Sequence, residues 1–120
     1  MKATATRDTL AEGTGVRGYI DIHFNTLVEM FGKPTRCIDG KIKADWVIKI
    51  EVNHEIEIVT IYDYKEEGPP EDKNIRWHIG GFDSNAVSML KTYLEEEQAT
   101  FQNCVVRVYS SDKGFQEILA

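Results

Sequence analysis

Residues 46–62 read WVIKIEVNHEIEIVTIY, and this stretch decides the fold. In its first half every second side chain is large and apolar: Trp46, Ile48, Ile50 and Val52. This period of two is typical of a β-strand with one buried face. A second run of β-branched residues follows the polar segment 53–55 and predicts a return strand from Ile56 to about Tyr64. The stretch therefore predicts an antiparallel hairpin.

The length of the hairpin turn sets the register of the two strands. A two-residue loop would mix apolar and acidic side chains on each face. A three-residue loop, residues 53–55, instead sets Val52 opposite Ile56. It also sets Glu51 opposite Glu57, so that like side chains share a face, and we predict this register.

The return strand carries apolar residues on both of its sides. Four of them share one face: Ile56, Ile58, Tyr62 and Tyr64. Val59 and Ile61 break the alternation. We therefore expect either a bulge at this point or a strand that is covered on both faces.

A helix is predicted upstream of the hairpin. Four apolar residues have the spacing of one helical face: Phe24, Leu27, Val28 and Phe31. We predict a helix near residues 22–31, with Asp21 as its N-cap because a carboxylate accepts hydrogen bonds from the first backbone amides. Gly32 suits the position just after the last turn. Residues 1–17 are expected to form a flexible arm or an edge strand.

A third strand and a second helix are predicted downstream. The strand has large apolar residues at every second position: Ile75, Trp77 and Ile79. Arg76 and His78 then lie on its other face. Gly80-Gly81 ends the strand, and Asp83 caps the helix. The helix has a buried stripe made of Ala86, Val87, Leu90 and Leu94.

The chain closes with a strand near residues 104–109, a turn, and a docked tail over residues 115–120. These elements predict a single α+β domain over residues 18–120. It contains an antiparallel sheet of about four strands with two short helices on one face. We expect Trp46 and Trp77 to be buried on the same face of this sheet.

The whole chain has a net charge of −6. Its acidic residues concentrate in one segment. Residues 51–72 contain Lys65 and eight acidic residues: Glu51, Glu55, Glu57, Asp63, Glu66, Glu67, Glu71 and Asp72. A localised field of one sign attracts partners of the other sign and repels nucleic acid. We predict that these eight residues bind a basic partner. The alternative is a solvated strand face followed by a solubilising loop.

The Gly-Gly segment offers a second candidate site. A strand that runs through Gly80 and Gly81 into a helix N-terminus can hold a phosphate or carboxylate. Arg76 and His78, on one side of the same strand, would supply positive charge. Asp83 opposes this interpretation, because it places a carboxylate where the anion would bind. A purely structural turn is the alternative.

The sequence predicts neither a metal site nor an enzyme. The residues two positions from His54 are Val52 and Ile56, and neither can bind a metal. No catalytic motif is present, so we expect no catalytic residues and no cofactor. The sequence has no apolar run long enough to span a membrane and no signal-peptide core, so we expect a cytoplasmic protein.

Several segments between residues 18 and 97 resemble a family of small proteins encoded by bacteriophages and prophages. The most specific are Phe-Gly-Lys-Pro at residues 31–34, Thr-Ile-Tyr-Asp-Tyr-Lys at residues 60–65 and Trp-His-Ile-Gly-Gly at residues 77–81. The resemblance implies a viral accessory protein that acts against a host system. It supplies no catalytic residues.

Residues and resemblance together predict a non-enzymatic phage protein in the cytoplasm of an infected bacterium. It would bind and inhibit a host defence protein through the acidic residues. DNA mimicry is one mode, because same-face strand residues repeat at about 6.6 Å and DNA phosphates are also regularly spaced. The alternative is a sponge for a small anionic ligand such as a signalling nucleotide at the Gly-Gly segment, where a homodimer could complete the site. Neither mode involves nucleic acid or a membrane.

Overall fold

The computed structural model describes residues 2–6, 13–34, 44–63, 74–96, 106–110 and 114–118. The elements in chain order are β1 (Lys2–Ala5), β2 (Gly15–His23), α1 (Phe24–Phe31), β3 (Asp45–Val52), β4 (Glu55–Tyr62), β5 (Asn74–Gly81), α2 (Asn85–Glu96), β6 (Val106–Ser110) and β7 (Gly114–Ile118). The strands form one sheet in the order β1-β3-β4-β5-β2-β6-β7. Every neighbouring pair is antiparallel.

The predicted α+β class is confirmed, but the sheet is larger than predicted. The described residues form seven strands instead of about four. The N-terminal segment contributes β1 at one edge of the sheet and the start of β2, a nine-residue strand in its interior. The glycines at positions 15 and 18 obscure the apolar alternation of β2. The predicted C-terminal tail is also wrong in part, because residues 114–118 form β7 and pair with β6.

Both helices pack on one face of the sheet, as predicted. Phe24 of α1 lies 5.6 Å from Trp46 and 6.3 Å from Trp77 between ring centroids. Phe31 of α1 stacks on Tyr93 of α2 at 5.9 Å, so the two helices also contact each other. We call this the helix face and the opposite side the second face.

The two tryptophans form the centre of the core on the helix face, as predicted. Both are 0 % exposed, and their rings meet edge to face at 5.3 Å. The indole nitrogen of Trp46 donates to the carbonyl of Gly32 at 2.9 Å, and that of Trp77 donates to the carbonyl of Ile22 at 3.0 Å. These two hydrogen bonds tie the sheet to both ends of the α1 segment.

The N-cap of α1 differs from the prediction. His23 is the N-cap, and its Nδ1 accepts a hydrogen bond from the Asn25 amide at 3.0 Å. Asp21 lies inside β2, where both of its carboxylate oxygens accept hydrogen bonds from Arg76 at 2.8 and 3.0 Å. The local sequence favours Asp21 as the N-cap. The pairing of β2 with β5 instead keeps Asp21 in a strand, so the helix begins later.

The other helix ends agree with the sequence. Gly32 follows α1 with a φ of 79°, a value that favours glycine, and its amide donates to the Val28 carbonyl. At the start of α2, Asp83 Oδ1 accepts from the Asn85 amide at 2.9 Å. The predicted apolar stripe of α2 is buried. Helix positions were therefore readable from local signals.

The predicted three-residue hairpin turn is wrong. The turn contains only Asn53 and His54, whose φ values are 47° and 70°. Val52 consequently pairs with Glu55, and Glu51 pairs with Ile56. Two consecutive residues with positive φ are typical of the tight turn that matches the twist of hairpin strands.

This shift by one residue exchanges the faces of β4. Val59 and Ile61 are fully buried on the helix face, and they pair with Ile48 and Trp46. The residues expected on the buried face, Ile56, Ile58 and Tyr62, instead lie on the second face. Tyr64 is outside the described residues. The broken alternation therefore marks the true core positions and not a bulge.

Candidate functional site

The register of the hairpin divides the predicted acidic surface between two faces. Glu51 lies on the second face, where Lys49 Nζ approaches its Oε1 at 3.2 Å. Glu57 pairs with Ile50 and therefore lies on the helix face. Glu55 is two residues from Glu57 and projects to the same side. The carboxylates of β3 and β4 thus do not form the single row that the three-residue turn would have produced.

Glu55 and Glu57 project from the helix face of β4 at the turn end of the sheet, by which we mean the end that contains the β3–β4 turn, and the charge of Asp83 acts on Glu57 from the start of α2. Burial, followed by the negative charges of Asp83 and Glu55, raises the pKa of Glu57. We call Glu55, Glu57 and Asp83 the carboxylate cluster. Asp83 acts on the cluster from the start of α2; the sequence analysis predicted it as a helix cap and as a carboxylate that opposes anion binding at the Gly-Gly segment. Asp83 belongs to the cluster and also caps the helix, since its Oδ1 accepts a hydrogen bond from the Asn85 amide.

Exposed apolar side chains occupy the same end of the sheet. Among the described residues, the exposed large hydrophobic residues are Val16 at 41 %, Ile56 at 54 % and Phe82 at 48 %. Ile56 is the second residue of β4, Val16 is the second of β2, and Phe82 follows β5. Val16 and Phe82 lie at the ends of β2 and β5 on this side of the sheet, with Val16 level with Thr60 and therefore four residues along β4 from Ile56. We call these three residues the apolar patch.

The sequence did not predict the apolar patch as a functional feature. It placed Ile56 on a buried face because the three-residue turn was preferred. The signal that could have corrected this was Val59-Thr60-Ile61, whose apolar residues are in phase with a buried strand only in the shorter turn. Val16 and Phe82 adjoin glycine-rich segments and gave no local signal.

Asp63, one of the predicted partner-binding residues, is fully buried. Its Oδ1 accepts a hydrogen bond from the Ala44 amide at 2.9 Å, and its own amide approaches the Ala44 carbonyl at 3.4 Å. Asp63 therefore joins two chain segments and cannot contact a partner at the surface. The remaining predicted acids, Glu66, Glu67, Glu71 and Asp72, lie outside the described residues.

Arg76 and His78 both lie on the second face, as predicted. The Arg76 guanidinium forms a two-pronged contact with Asp21 and also lies 4.4 Å from the centroid of the Tyr109 ring. The hydrogen bond to Asp21 is the main cause that raises the pKa of Arg76. A ligand anion would have to compete with this carboxylate for the guanidinium.

His78 belongs to a row of aromatic rings that crosses the sheet. Tyr62, His78, Tyr19 and Tyr109 occupy directly paired positions on four adjacent strands. The Tyr62 ring stacks on His78 at 5.2 Å, and Tyr19 meets His78 edge to face at 5.1 Å. Since these rings face each other, they stabilise the pairing of the strands.

Gly80 and Gly81 lie inside the sheet. Gly80 pairs with Thr60 and Val16, and a side chain at this position would collide with Thr60 Oγ1. A side chain at Gly81 would collide with the Ala86 side chain. Both glycines are thus required for close packing, whereas an anion-binding loop would need backbone amides directed at solvent.

The carbonyls at the end of β5 are also occupied. Arg17, the extra residue of a bulge in β2, donates from Nε to the Gly81 carbonyl at 3.1 Å. Its Nη2 donates to the Phe82 carbonyl at 2.7 Å. These two hydrogen bonds hold the connection between β5 and α2 and so determine where Phe82 and Asp83 are presented.

No family model, curated protein or solved structure matches this chain. Within the part of the chain that the structure describes, no three His, Cys, Asp or Glu residues are arranged to hold a metal ion. In the same part, neither helix is long and apolar enough to cross a membrane.

Proposed function

We propose that this protein is a non-enzymatic binding protein that docks a basic partner at the turn end of its sheet. The observation that carries the proposal is the carboxylate cluster on the helix face of the turn end. Partial burial, followed by repulsion from the charges of Asp83 and Glu55, raises the pKa of Glu57. A cation supplied by a partner would relieve this repulsion.

The phage resemblance supports the choice of partner. A viral accessory protein acts on host components, and a basic surface is typical of host proteins that bind nucleic acid. We therefore propose a host defence protein with a basic surface as the partner and inhibition by occupation of that surface as the mode of action. Association would be accelerated by electrostatic attraction and would weaken with salt.

The anion sponge receives less support from the geometry. Arg76 is already engaged by Asp21, and the two glycines are packed inside the sheet. The acidic partner-binding mode uses side chains that are at the surface, since Glu55 and Asp83 are exposed. We therefore retain protein binding as the proposed function.

Charge reversal tests this proposal. The immobilised protein and its Glu51→Lys/Glu55→Lys/Glu57→Lys variant are compared for capture of proteins from a bacterial lysate at about 50 mM and about 300 mM salt. Glu29→Lys/Glu95→Lys/Glu96→Lys is the matched control, because it changes the net charge equally at exposed helical positions. Circular dichroism verifies that all three proteins are folded.

We expect a specific set of basic proteins to be captured by the wild type and the control but not by the turn-end variant. Their capture should decrease at the higher salt concentration. If the turn-end variant captures the same proteins while folded, or if the control loses them equally, the turn end is not the binding surface.

A further inference from the structure

We infer that the second face binds the second face of another copy of this chain, and that a two-fold axis running along the strands between β2 and β6 relates the two copies. The inference goes beyond the partner proposed for the turn end. It rests on the order of charged and aromatic residues across β5, β2, β6 and β7, which are neighbours in the sheet.

The second face is open over β5 and β2. Both helices pack on the other face, and no helix or strand of the described residues packs on this one. On β3 and β4, Val47 and Thr60 lie on the second face but are buried. On β5 and β2, by contrast, the Arg76 side chain is 51 % exposed and Val16 is 41 % exposed. The surface that a partner can reach is therefore on the β5 and β2 side.

One row of the second face alternates in charge. Asp21 pairs with Arg76 on β5 and with position 107 on β6, and position 107 pairs with position 117 on β7. From β5 to β7 the row is therefore positive, negative, positive and negative: Arg76, Asp21, Arg107 and Glu117. Such a row is complementary to its own reverse, because each positive position then meets a negative one.

The neighbouring row on the same face is aromatic. In paired positions from β5 to β7 it contains His78, Tyr19, Tyr109 and Phe115. The first three side chains are half-buried, so part of each ring remains accessible. Tyrosine and arginine are enriched at protein interfaces and among the residues that contribute most to binding. The two rows together have the composition of an interface.

The order of the two rows determines the symmetry of the dimer. Two sheets that pack face to face lie about 10 Å apart with nearly aligned strands. The proposed axis places β5 of one copy over β7 of the other, and β2 over β6. Position 76 then faces position 117, and position 21 faces position 107, so all four contacts join opposite charges.

The same axis places the aromatic row of one copy on that of the other. Tyr19 faces position 109, and His78 faces position 115. An axis across the strands would instead place each strand over its own copy and would set like charges opposite each other. The charge order therefore favours the axis along the strands.

The size of the face predicts weak association. Four strands spaced by about 4.8 Å, each with about five residues of about 3.3 Å, define a planar area of roughly 300 Å². Stable interfaces bury roughly 800 Å² per partner. We therefore expect a dimer that forms near about 100 µM protein. The carboxylate cluster stays accessible in this dimer, because it lies on the helix face.

Charge exchange between two copies tests the inference. Arg76→Glu and Glu117→Arg each set like charges opposite each other across the axis, whereas an equimolar mixture of the two variants sets opposite charges there. Sedimentation equilibrium measures self-association of the full-length proteins at about 10 and about 300 µM. Lys33→Glu and Glu29→Arg are the matched controls, because they make the same charge changes at exposed positions in or beside α1. Circular dichroism verifies folding.

We expect the wild type and both controls to change from monomer to dimer between the two concentrations. Arg76→Glu and Glu117→Arg should each weaken self-association at least about tenfold, and mixing them should restore it. Loss of folding in either variant cannot produce this restoration.

Three results would overturn the inference: a wild type that stays monomeric at about 300 µM, a dimer that neither variant weakens, or folded variants that do not associate when mixed. Arg76→Glu removes the contact with Asp21, and this variant can fail to fold. Backbone amide chemical shifts of the wild type at the two concentrations then decide. Changes confined to β5, β2, β6 and β7 support the inference, and changes centred on the helices or β3 contradict it.

Discussion

At the scale of single residues, Glu57 shows how the fold alters the chemistry of a side chain. Its pKa is raised by burial and by the nearby carboxylates of Asp83 and Glu55. Glu57 therefore holds its proton more tightly in the folded protein than in the unfolded chain. The folded state is favoured by this residue at low pH and loses that advantage as the pH rises from 4.5 through the raised pKa.

We predict that Glu57→Gln is stabilising at neutral pH. Glutamine cannot ionise, so the difference in free energy of unfolding should be near zero at acidic pH. It should grow with pH to a plateau of up to about 0.5 kcal/mol, since the side chain is partly exposed to solvent. Urea denaturation across this pH range measures the difference. Glu29→Gln on the exposed side of α1 is the control, and a Glu57→Gln curve parallel to that of the wild type would contradict the prediction.

Asp83 shows that one residue can serve both the helix and the surface. Its carboxylate caps α2 and contributes to the charge around Glu57. The capping role could be predicted from the sequence, because it involves the next two residues. The role in the cluster depends on the pairing of β4 with β5, and no local pattern reports that pairing.

At the scale of elements, the β3–β4 turn determines which side chains are displayed. Asn53 and His54 both have positive φ values, and histidine adopts this conformation at a cost. We predict that His54→Gly raises the free energy of unfolding by up to about 1 kcal/mol, because glycine has no Cβ to cause strain. Urea denaturation measures this change. His54→Ala, which retains the Cβ, should give no such gain, and equal stabilisation by both variants would exclude relief of strain as the cause.

The same turn explains why the acidic surface was predicted incorrectly. Glycine is the residue that most strongly indicates a two-residue hairpin turn, and this sequence has histidine in its place. The chain thus lacked the local signal, and the apolar alternation of β3 favoured the longer loop. Periodicity correctly identified both strands. Their register depended on the positive φ of His54, which the residue type does not predict.

At the scale of the whole molecule, the core is organised around two tryptophans from β3 and β5. Their burial could be predicted, because each lies in a strand with apolar residues at every second position. The number of strands in the sheet could not be predicted. β2 contains two glycines and several polar residues, and its pairing with β5 and β6 depends on residues far away in the chain.

We predict that Trp77→Ala lowers the free energy of unfolding by about 3–5 kcal/mol, because it removes a fully buried ring from the core. Trp77→Phe should cost about 1–3 kcal/mol, since it keeps a ring but leaves the Ile22 carbonyl without its indole donor. Thermal and urea denaturation measure both changes. A loss of less than about 1 kcal/mol in Trp77→Ala would contradict the central position of this residue.

The order of the strands has a consequence for biosynthesis. β1 is made before the strand with which it pairs, β3, which ends at Val52. β2 gains its two neighbours only after β5 and β6 have been made. β3, β4 and β5 can pair in the order in which they are made, whereas β2 completes its pairing only after β6 has emerged, so we expect β2 to remain open to chaperones during that interval.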